Sequence, residues 1–249
     1  MQALVLAAGF GTRFRPATLT TPKPLLPFLG KPILFHLLDH LVAEGVDRFV
    51  VNTHHLGEQV RAMLGDSYEG CPIAYSPEDP ILGTAGAIRR AAERGLLEGT
   101  PFLVANGDVH TTLGLGRLLR ARQEPGVVSA LAVIPNHTPE KETPLWASPE
   151  GRLIALGGER PEAAASGPWL FTGIQDARPE LVSRITEGMS ELARDVLAPS
   201  VRARDGAFAL VPYVVPAEGH WFDLGSPERL AAAEREITSF TSSAGPTSS

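Results

Sequence analysis

The chain has 249 residues, of which 43% are hydrophobic and 20% are charged, and its formal net charge is −6. A chain of this length and composition forms one large globular domain, or one domain with a small accessory lobe. The acidic balance argues against a nucleic-acid partner, because a phosphate backbone selects clustered Lys and Arg. Cys71 is the only cysteine in the sequence, which excludes intrachain disulfides and cysteine-based zinc sites.

We also expect no membrane partner and a cytoplasmic location. The first residues pass directly into an apolar run with no charged leader, and no apolar stretch reaches membrane-spanning length. The sequence carries no signal of assembly, so we expect a monomer or a small homo-oligomer.

The apolar run ALVLAA predicts a buried first strand, and the loop that follows, residues 9–27 (GFGTRFRPATLTTPKPLLP), organises the rest of the chain. Gly9 and Gly11 let backbone N–H groups approach an anion closely, because neither residue has a Cβ. Arg13 and Lys23 add positive charge, and the prolines prevent a continuous helix. A long, stiff, cationic loop of this kind suits a polyphosphate.

Two common phosphate-binding motifs do not fit this loop. The dinucleotide-binding fingerprint requires a third glycine and a helix where this chain has Phe14 and, shortly after, Pro16. The P-loop requires a Gly-Lys-Ser/Thr ending that is absent. An NAD-dependent enzyme is therefore disfavoured.

The longer pattern GxGTRxxPxT followed by PKPLxP resembles the signature of the nucleoside-diphosphate-sugar pyrophosphorylases, the nucleotidyltransferases that join a sugar 1-phosphate to a nucleotide. The resemblance implies that a nucleoside triphosphate and a sugar 1-phosphate react, with Mg²⁺, to a nucleotide sugar and pyrophosphate. Arg13 would then bond the leaving pyrophosphate, and Lys23 would reach the α-phosphate region. The implied nucleotide-binding residues of the loop are Ala8, Gly9, Gly11 and Thr12.

Apolar residues recur at helical spacing over 33–45, and residues 48–53 form the next strand, which predicts a parallel βαβ unit. His36 and His40 lie four residues apart on this helix, a spacing that can bind a metal. Because no third ligand is nearby, a solvated helix face is the favoured interpretation.

His54 and His55 follow the second strand. Adjacent side chains on an extended chain point in opposite directions, so we expect structural or helix-entry roles rather than joint chelation. A short helix over 57–64 and a short strand over 73–75 come next.

The stretch 76–88, SPEDPILGTAGAI, is the second informative segment. Small residues from Gly83 permit close approach to a flat ring before a helix that ends at Arg94, and the resembled family uses such a segment to line the base and ribose, here with Gly83 and Thr84. Glu78 falls where family members read the base edge. A carboxylate only accepts hydrogen bonds, which favours guanine over uracil; a water-facing Glu78 is the alternative.

An apolar strand over 102–106 leads to Asp108, and the stretch from Trp221 leads to Asp223. A carboxylate at the C-terminal end of a parallel strand is well placed to hold a divalent cation against phosphates, although a turn role is also possible. The resemblance implies that Asp108 and Asp223 bind Mg²⁺ and that Asn106 contacts the sugar. Ser226 suffices to cap the last helix, so capping does not require Asp223.

The C-terminal half is less regular, and we expect it to form the sugar side of the pocket. Glu159 and Arg160 resemble a Glu-Lys-Pro segment that binds the sugar and its phosphate, and Gly173 belongs to a TGI segment whose backbone contacts the sugar. The predicted helices cover 113–122, 179–187, 191–204 and 227–237. The predicted strands cover 127–134, 151–156, 169–174 and 208–212.

These observations predict an α/β fold with a Rossmann-like, mostly parallel sheet flanked by helices and a small sugar-binding lobe. The domain would span 1–237, with a nucleotide-binding half over 1–125, a sugar-binding half over 126–237 and a disordered tail over 238–249. A mannose-1-phosphate guanylyltransferase is the preferred function. The alternatives are an N-acetylmuramate-1-phosphate uridylyltransferase, a phosphocholine cytidylyltransferase and a non-catalytic nucleotide-sugar-binding regulatory subunit.

Overall fold

The structure, a computed structural model, describes residues 1–97 and 99–243. Its α-helices are α1 (Ile33–Ala43), α2 (Gly57–Leu64), α3 (Gly83–Glu93), α4 (Gly116–Ala121), α5 (Ala198–Ala203) and α6 (Pro227–Ser243). Its strands are β1 (Gln2–Leu6), β2 (Pro27–Phe28), β3 (Lys31–Pro32), β4 (Arg48–Thr53), β5 (Ser67–Tyr68), β6 (Cys71–Pro77), β7 (Phe102–Asn106), β8 (Val109–Thr111), β9 (Ser129–Pro135), β10 (Leu145–Ala147), β11 (Leu153–Leu156), β12 (Ser166–Ala177), β13 (Phe208–Pro212) and β14 (Trp221–Asp223).

A central sheet runs in the order β11-β10-β12-β7-β1-β4-β6-β5, with β9 beside β12 and β13 beside β9. The strands β7, β1, β4 and β6 are mutually parallel, as are β9 and β13, whereas β12 runs antiparallel to both β7 and β9. The parallel part is connected through helices, as parallel strands require. This mostly parallel, helix-flanked sheet confirms the predicted fold class.

Hydrophobic clusters cover both faces of the sheet. On one face, α1 buries Leu34, Leu37 and Leu41 at helical spacing, which confirms the predicted amphipathic helix. On the other face, α3 packs beside the segment that leads into α5. Both clusters contain residues from the N-terminal and the C-terminal parts of the chain, so one core supports the whole sheet.

A third cluster joins the phosphate-binding loop to the last helix. Phe14 and Phe28 pack in it with Leu224 and Ala233, and all of these side chains are buried. Segments near the N-terminus and near the C-terminus therefore meet beside the predicted site, and this contact positions α6 against the loop.

The helices of the C-terminal half differ from the prediction. Residues 179–187 form a shorter 3₁₀ turn, Pro179–Arg184, and residues 191–204 form a π-helical turn, Leu192–Leu197, followed by α5. The first N–H of this turn is satisfied by a distant residue, because Leu192 N donates to the Thr84 hydroxyl at 2.9 Å.

The boundaries of two other helices also differ. The predicted helix over 113–122 is shorter and covers Gly116–Ala121. The last helix continues to Ser243, so the first part of the predicted disordered tail is helical. The rest of that predicted tail, 244–249, lies outside the described residues.

The prediction of a solvated face for His36 and His40 is wrong, because both side chains are partly buried. The His36 ring lies 2.7 Å from the Phe28 carbonyl oxygen and 5.3 Å, between centroids, from the His110 ring. Burial lowers the pKa of His36 and of His40, and it lowers the pKa of His110 to about 4. The β2–β3 hairpin and β8 cover this side of α1, and local spacing does not reveal that cover.

Within residues 1–97 and 99–243, no helix combines the length and apolar character that a membrane crossing requires.

Asp176, on β12, is a fully buried carboxylate. Its Oδ1 accepts a hydrogen bond from Arg122 Nη1 at 2.9 Å, and its Oδ2 has no partner. Burial raises the pKa of Asp176 to about 7, and the Arg122 charge opposes this only in part. Between about pH 4 and pH 7 the folded protein therefore holds a proton that the unfolded chain releases.

We expect this group to make the protein less stable as pH rises from about 4 to 7, by about 2–4 kcal/mol. Asp176→Asn removes the titrating group, so wild-type and variant stabilities should be closest at low pH and diverge in favour of the variant up to pH 7. Urea unfolding of both proteins from pH 4 to pH 8 measures this difference. A difference that stays flat, or that favours the wild type as pH rises, would contradict the raised pKa.

Candidate active site

A cleft lies along the edge of the sheet where the parallel strands end. β1 ends at Leu6, which is in register with Asn52 on one side and Asn106 on the other. The carboxyl ends of parallel strands are where α/β folds bind ligands. A cavity of about 330 Å³ opens at this edge, and we call it the nucleotide cavity after its predicted occupant. It is lined by Leu6, Ala7, Ala8, Gly9, Gly11, Thr12, Arg13, Lys23, Pro24, Asn52, Glu78, Ile81, Gly83, Thr84, Asn106, Gly107, Asp108, Glu191 and Gly225.

The phosphate-binding loop is compact and forms short 3₁₀ turns in place of a helix, as its prolines predict. Gly11 has φ +59°, and an added Cβ would lie 2.9 Å from side-chain atoms of both Lys23 and Thr18. The Thr18 hydroxyl donates to the Gly11 carbonyl at 2.8 Å. Glycine is therefore required here by the close packing of the loop on itself.

The histidine pair after β4 braces neighbouring segments. A ring nitrogen of His55 lies 2.7 Å from the Thr18 carbonyl oxygen, and Nδ1 of His54 lies 2.9 Å from the Glu78 carbonyl oxygen. The Phe10 ring contacts both imidazoles, with the His54 centroid at 5.1 Å. These contacts agree with the structural roles predicted for both histidines.

Lys23 and Asp108 form an ion pair inside the cleft. Lys23 is only 8% exposed, and its ammonium contacts Asp108 Oδ2 and lies 5.5 Å from the centre of the Phe14 ring. A buried ammonium needs such a partner, because isolated charges are costly to remove from water. Arg13 lines the same cavity, so the loop presents its positive charge to the cleft.

A two-stranded ribbon brings the predicted metal ligands together. β8 begins directly after Asp108 and pairs antiparallel with β14, so that Asp223 lies opposite Val109. Leu224 N donates to the Asp108 carbonyl oxygen at 2.9 Å. Both aspartates line a second cavity of about 220 Å³ beside the first.

The residues around this cavity have the chemistry that Mg²⁺ prefers. Carboxylates from Asp108 and Asp223 would provide hard oxygen donors, and nucleotide enzymes usually combine one or two such groups with substrate phosphates. Within the described parts of the chain, no group of three or more His, Cys, Asp or Glu side chains could hold a metal ion alone. A cation at this place would therefore depend on the substrate for further ligands.

Glu78 lies in the wall of the nucleotide cavity and is 5% exposed, so the water-facing alternative is wrong. Its Oε1 accepts a hydrogen bond from Asn52 Nδ2 at 2.7 Å, and its Oε2 accepts one from Leu82 N at 2.9 Å. Asn52 Oδ1 in turn accepts from Ala7 N at 2.6 Å. Glu78 therefore braces the strand ends, and contact with a base would have to share oxygens that are already hydrogen-bonded.

Gly83 and Thr84 border the nucleotide cavity, but their immediate neighbour is the segment before α5. An added Cβ on Gly83, whose φ is +73°, would lie 2.6 Å from Glu191 Oε1. The Thr84 hydroxyl donates to Glu191 Oε2 at 3.0 Å, and the Ser190 carbonyl accepts from the first backbone N–H groups of α3. The glycine is thus explained by this contact as well as by the predicted approach to a base.

A third cavity, of about 300 Å³, shares Asn106 and Glu142 with the second. We call it the sugar-side cavity after its predicted occupant. Its wall is largely aliphatic and aromatic, with contributions from β7, β12 and the segment before α5. Gly173 lies in this wall with φ +82°, and an added Cβ would be 2.8 Å from Asn106 Nδ2. Two of the four residues predicted to contact the sugar, Asn106 and Gly173, are therefore neighbours.

The structure does not bring Glu159 and Arg160 to the cleft. Both residues are exposed and neither lines the three cavities. Arg160 Nη2 donates to the Ala164 carbonyl at 2.8 Å, so the guanidinium closes its own turn. In this conformation these residues cannot contact the sugar or its phosphate as predicted.

Three charged residues of the cleft were missed from the sequence: Glu142, Glu191 and Arg229. Glu191 lies at the junction of the nucleotide and sugar cavities. Arg229, in the first turns of α6, pairs with both Asp223 and Glu142. Long-range packing places all three, and no local motif marks them.

Comparison with known proteins identifies the class of this site. The nucleotidyl transferase family matches residues 2–239. An N-acetylmuramate α-1-phosphate uridylyltransferase from Neisseria meningitidis is 37% identical over 243 residues, which cover 94% of this chain and 97% of that protein. A probable mannose-1-phosphate guanylyltransferase from Oryza sativa is 32% identical over 231 residues, which cover 91% of this chain but 62% of that protein.

The fold is shared with solved structures at low sequence identity. HddC from Yersinia pseudotuberculosis superposes with a TM-score of 0.77 at 19% identity, covering 95% of this chain and 99% of that one. The chain belongs to the nucleotidyl transferase family. Within it, the chain is a member of the sugar-1-phosphate nucleotidyltransferases, as its motifs predict.

Proposed function

We propose that this enzyme transfers a uridylyl group from UTP to N-acetylmuramate 1-phosphate and releases pyrophosphate. The observation that carries the reaction class is the convergence of Arg13, Lys23, Asp108 and Asp223 on one cleft at the ends of the parallel strands. The choice of substrate is supported by the Neisseria relative, which this chain matches over 97% of its length.

The reaction needs no covalent intermediate and no general base. An oxygen of the sugar phosphate, already an anion, attacks the α-phosphorus in line as the bond from that phosphorus to the bridging oxygen of pyrophosphate breaks. The enzyme must hold two mutually repelling phosphates together and neutralise the charge that moves to the leaving group. Lys23 is placed to neutralise the α-phosphate, and Arg13 the pyrophosphate.

Asp108 and Asp223 would hold Mg²⁺, which when bound supplies positive charge against the phosphate oxygens. Asp108 contacts Lys23, and Asp223 contacts Arg229. The contact between Asp223 and Arg229 can be exchanged, because ion pairs that are partly exposed to water contribute little stability.

The preference for uracil follows from the surroundings of Glu78. Guanine was favoured because a carboxylate could accept its N–H groups, but both oxygens of Glu78 already accept hydrogen bonds from Asn52 and Leu82. The largely apolar wall of the sugar-side cavity also suits the methyl groups of N-acetyl and lactyl substituents, which an unsubstituted hexose lacks.

A mannose-1-phosphate guanylyltransferase is the second candidate. Glu78 does lie in the wall of the nucleotide cavity, and the oxygens that bind Asn52 and Leu82 retain free lone pairs. The rice relative matches 91% of this chain. The two candidates differ in both base and sugar, so one assay separates them.

The test is Mg²⁺-dependent pyrophosphate release across UTP, GTP, CTP and ATP, each paired with 1-phosphates of N-acetylmuramate, N-acetylglucosamine, glucose and mannose, and with phosphocholine. We expect UTP with N-acetylmuramate 1-phosphate to give the highest kcat/KM, by at least about 10-fold over any other pair. A maximum at GTP with mannose 1-phosphate would replace the proposal with the second candidate. No turnover, with nucleotide sugars still bound, would favour a non-catalytic binding protein.

A further inference from the structure

Arg229 joins the two sides of the cleft. Its guanidinium contacts Asp223 through Nη1 and Glu142 through Nη2, and its side chain is 43% exposed at the cavity that both aspartates line. Asp223 lies at the end of β14, opposite Val109, which directly follows Asp108 of the nucleotide cavity. Glu142 lies between β9 and β10 and also lines the sugar-side cavity. The guanidinium therefore lies where the two substrates must meet.

The helix that carries Arg229 is firmly held. Leu224, just before α6, and Ala233, within it, are buried against Phe14 and Phe28 of the phosphate-binding loop and its hairpin. Movement of the guanidinium thus requires only rotation of the arginine side chain, while its Cα stays in place. A long side chain on a fixed helix can exchange partners at little cost.

The charged side chains around this cavity are equal in number and opposite in sign. Among the described residues, the cations at the cavity and its edge are Arg13, Lys23 and Arg229. The carboxylates are Asp108, Asp223 and Glu142. Their formal charges cancel, so a further positive charge at one of the carboxylates would strengthen the attraction for a sugar 1-phosphate dianion.

A divalent cation at Asp223 would compete directly with Arg229 for the same carboxylate. The displaced guanidinium would then lie at the cavity with one planar edge free, and that edge matches a phosphate group with two parallel hydrogen bonds. The other edge would still contact Glu142.

We propose that Arg229 binds the phosphate of the sugar 1-phosphate, and that it becomes available for this when it exchanges Asp223 for that phosphate. The inference rests on the proposed transfer to a sugar 1-phosphate but not on which sugar is used. It assigns to Arg229 the phosphate-binding role that the sequence assigns to Arg160, whose guanidinium closes a turn outside the cleft.

Steady-state kinetics of Arg229→Ala, Arg229→Lys and Glu142→Gln test this role, with Arg235→Ala, an exposed arginine of the same helix, as the matched control. We expect Arg229→Ala to raise KM for the sugar 1-phosphate by about 10- to 100-fold and to change KM for the nucleotide by less than about 3-fold. Lysine should restore part of the loss. Equal sugar-phosphate KM in Arg229→Ala and Arg235→Ala would overturn the inference.

The Glu142→Gln variant distinguishes a phosphate-binding role of Arg229 from a purely structural one. If Arg229 only tied the two sides together, removing the charge of Glu142 would have the same effect as removing Arg229. If Arg229 binds phosphate, Glu142→Gln frees the guanidinium, and KM for the sugar 1-phosphate should fall or stay unchanged. A rise equal to that of Arg229→Ala would reject the binding role.

Two measurements without turnover keep this test separate from that of the proposed function. Calorimetric binding of the sugar 1-phosphate should weaken in Arg229→Ala even if no nucleotide pair in the grid reacts. Titration with Mn²⁺ alone, followed by electron paramagnetic resonance, should show several-fold tighter binding in Arg229→Ala, because the competitor for Asp223 is gone. Unchanged affinity for either probe contradicts the exchange.

Discussion

Asp108→Asn is expected to lower kcat by about 100- to 1,000-fold while the protein stays folded. The carboxylate lies at the tip of β7, contacts the buried ammonium of Lys23 and lines both the nucleotide cavity and the cavity shared with Asp223. Asparagine has nearly the same shape, so β8 and its pairing with β14 should persist. It lacks the negative charge that would attract a cation and that now offsets Lys23.

Pyrophosphate release measures this effect, and thermal unfolding checks the fold. Asp66→Asn is a suitable control, since Asp66 is exposed and lies outside the cleft. A separate titration with Mn²⁺ should show weakened binding in Asp108→Asn but not in the control. A rate within about threefold of the wild type would remove Asp108 from the reaction.

Lys23→Ala should have an effect of similar size, again about 100- to 1,000-fold on kcat. Lys23 is buried, lies at the cleft beside Asp108, and is packed so closely that Gly11 has no room for a Cβ. Its charge can therefore reach a phosphate in the cleft without the screening that water gives a surface lysine. Removing it leaves the charge of Asp108 unopposed, which further repels the substrates.

Lys31→Ala provides the comparison, because Lys31 belongs to the neighbouring hairpin, is 36% exposed and pairs with Asp39 outside the cleft. We expect its rate to stay near that of the wild type. If Lys23→Ala proves strongly unfolded, Lys23→Gln, which keeps most of the side-chain volume, distinguishes lost charge from lost packing. An active Lys23→Gln enzyme would contradict the electrostatic role.

The nucleotide half of the fold was largely predictable from the sequence. Helix α1 was expected over 33–45 and runs Ile33–Ala43, and α2 occupies the residues expected. Here consecutive strands and helices pack on each other, so local apolar periodicity carries the same information as the tertiary structure. Motif spacing also predicted that Lys23 and Asp108 lie at the cleft, and both residues line its cavity.

The C-terminal half was less predictable because its elements depend on distant partners. Residues 191–204 have the periodicity of a helix, but they form a π-turn and a short α-helix. The start of the π-turn is held by α3, since Thr84 Oγ1 donates to Glu191 and accepts from Leu192 N. The spacing of His36 and His40 predicts a solvent-exposed pair, but the β2–β3 hairpin covers His36. Neither contact can be predicted from the pattern of a few neighbouring residues.

The sequence by itself determined the class of fold and the irregular course of the loop over residues 9–27, because glycines and prolines act on the backbone next to them. Only the tertiary structure decided which charged groups meet in the cleft. It paired Asp223 with Arg229 and Glu142, bound Glu78 to Asn52, and left Arg160 in its own turn. The reason is physical: the pairing of a charge depends on the strand register and on the packing of segments far apart in sequence, neither of which local spacing contains.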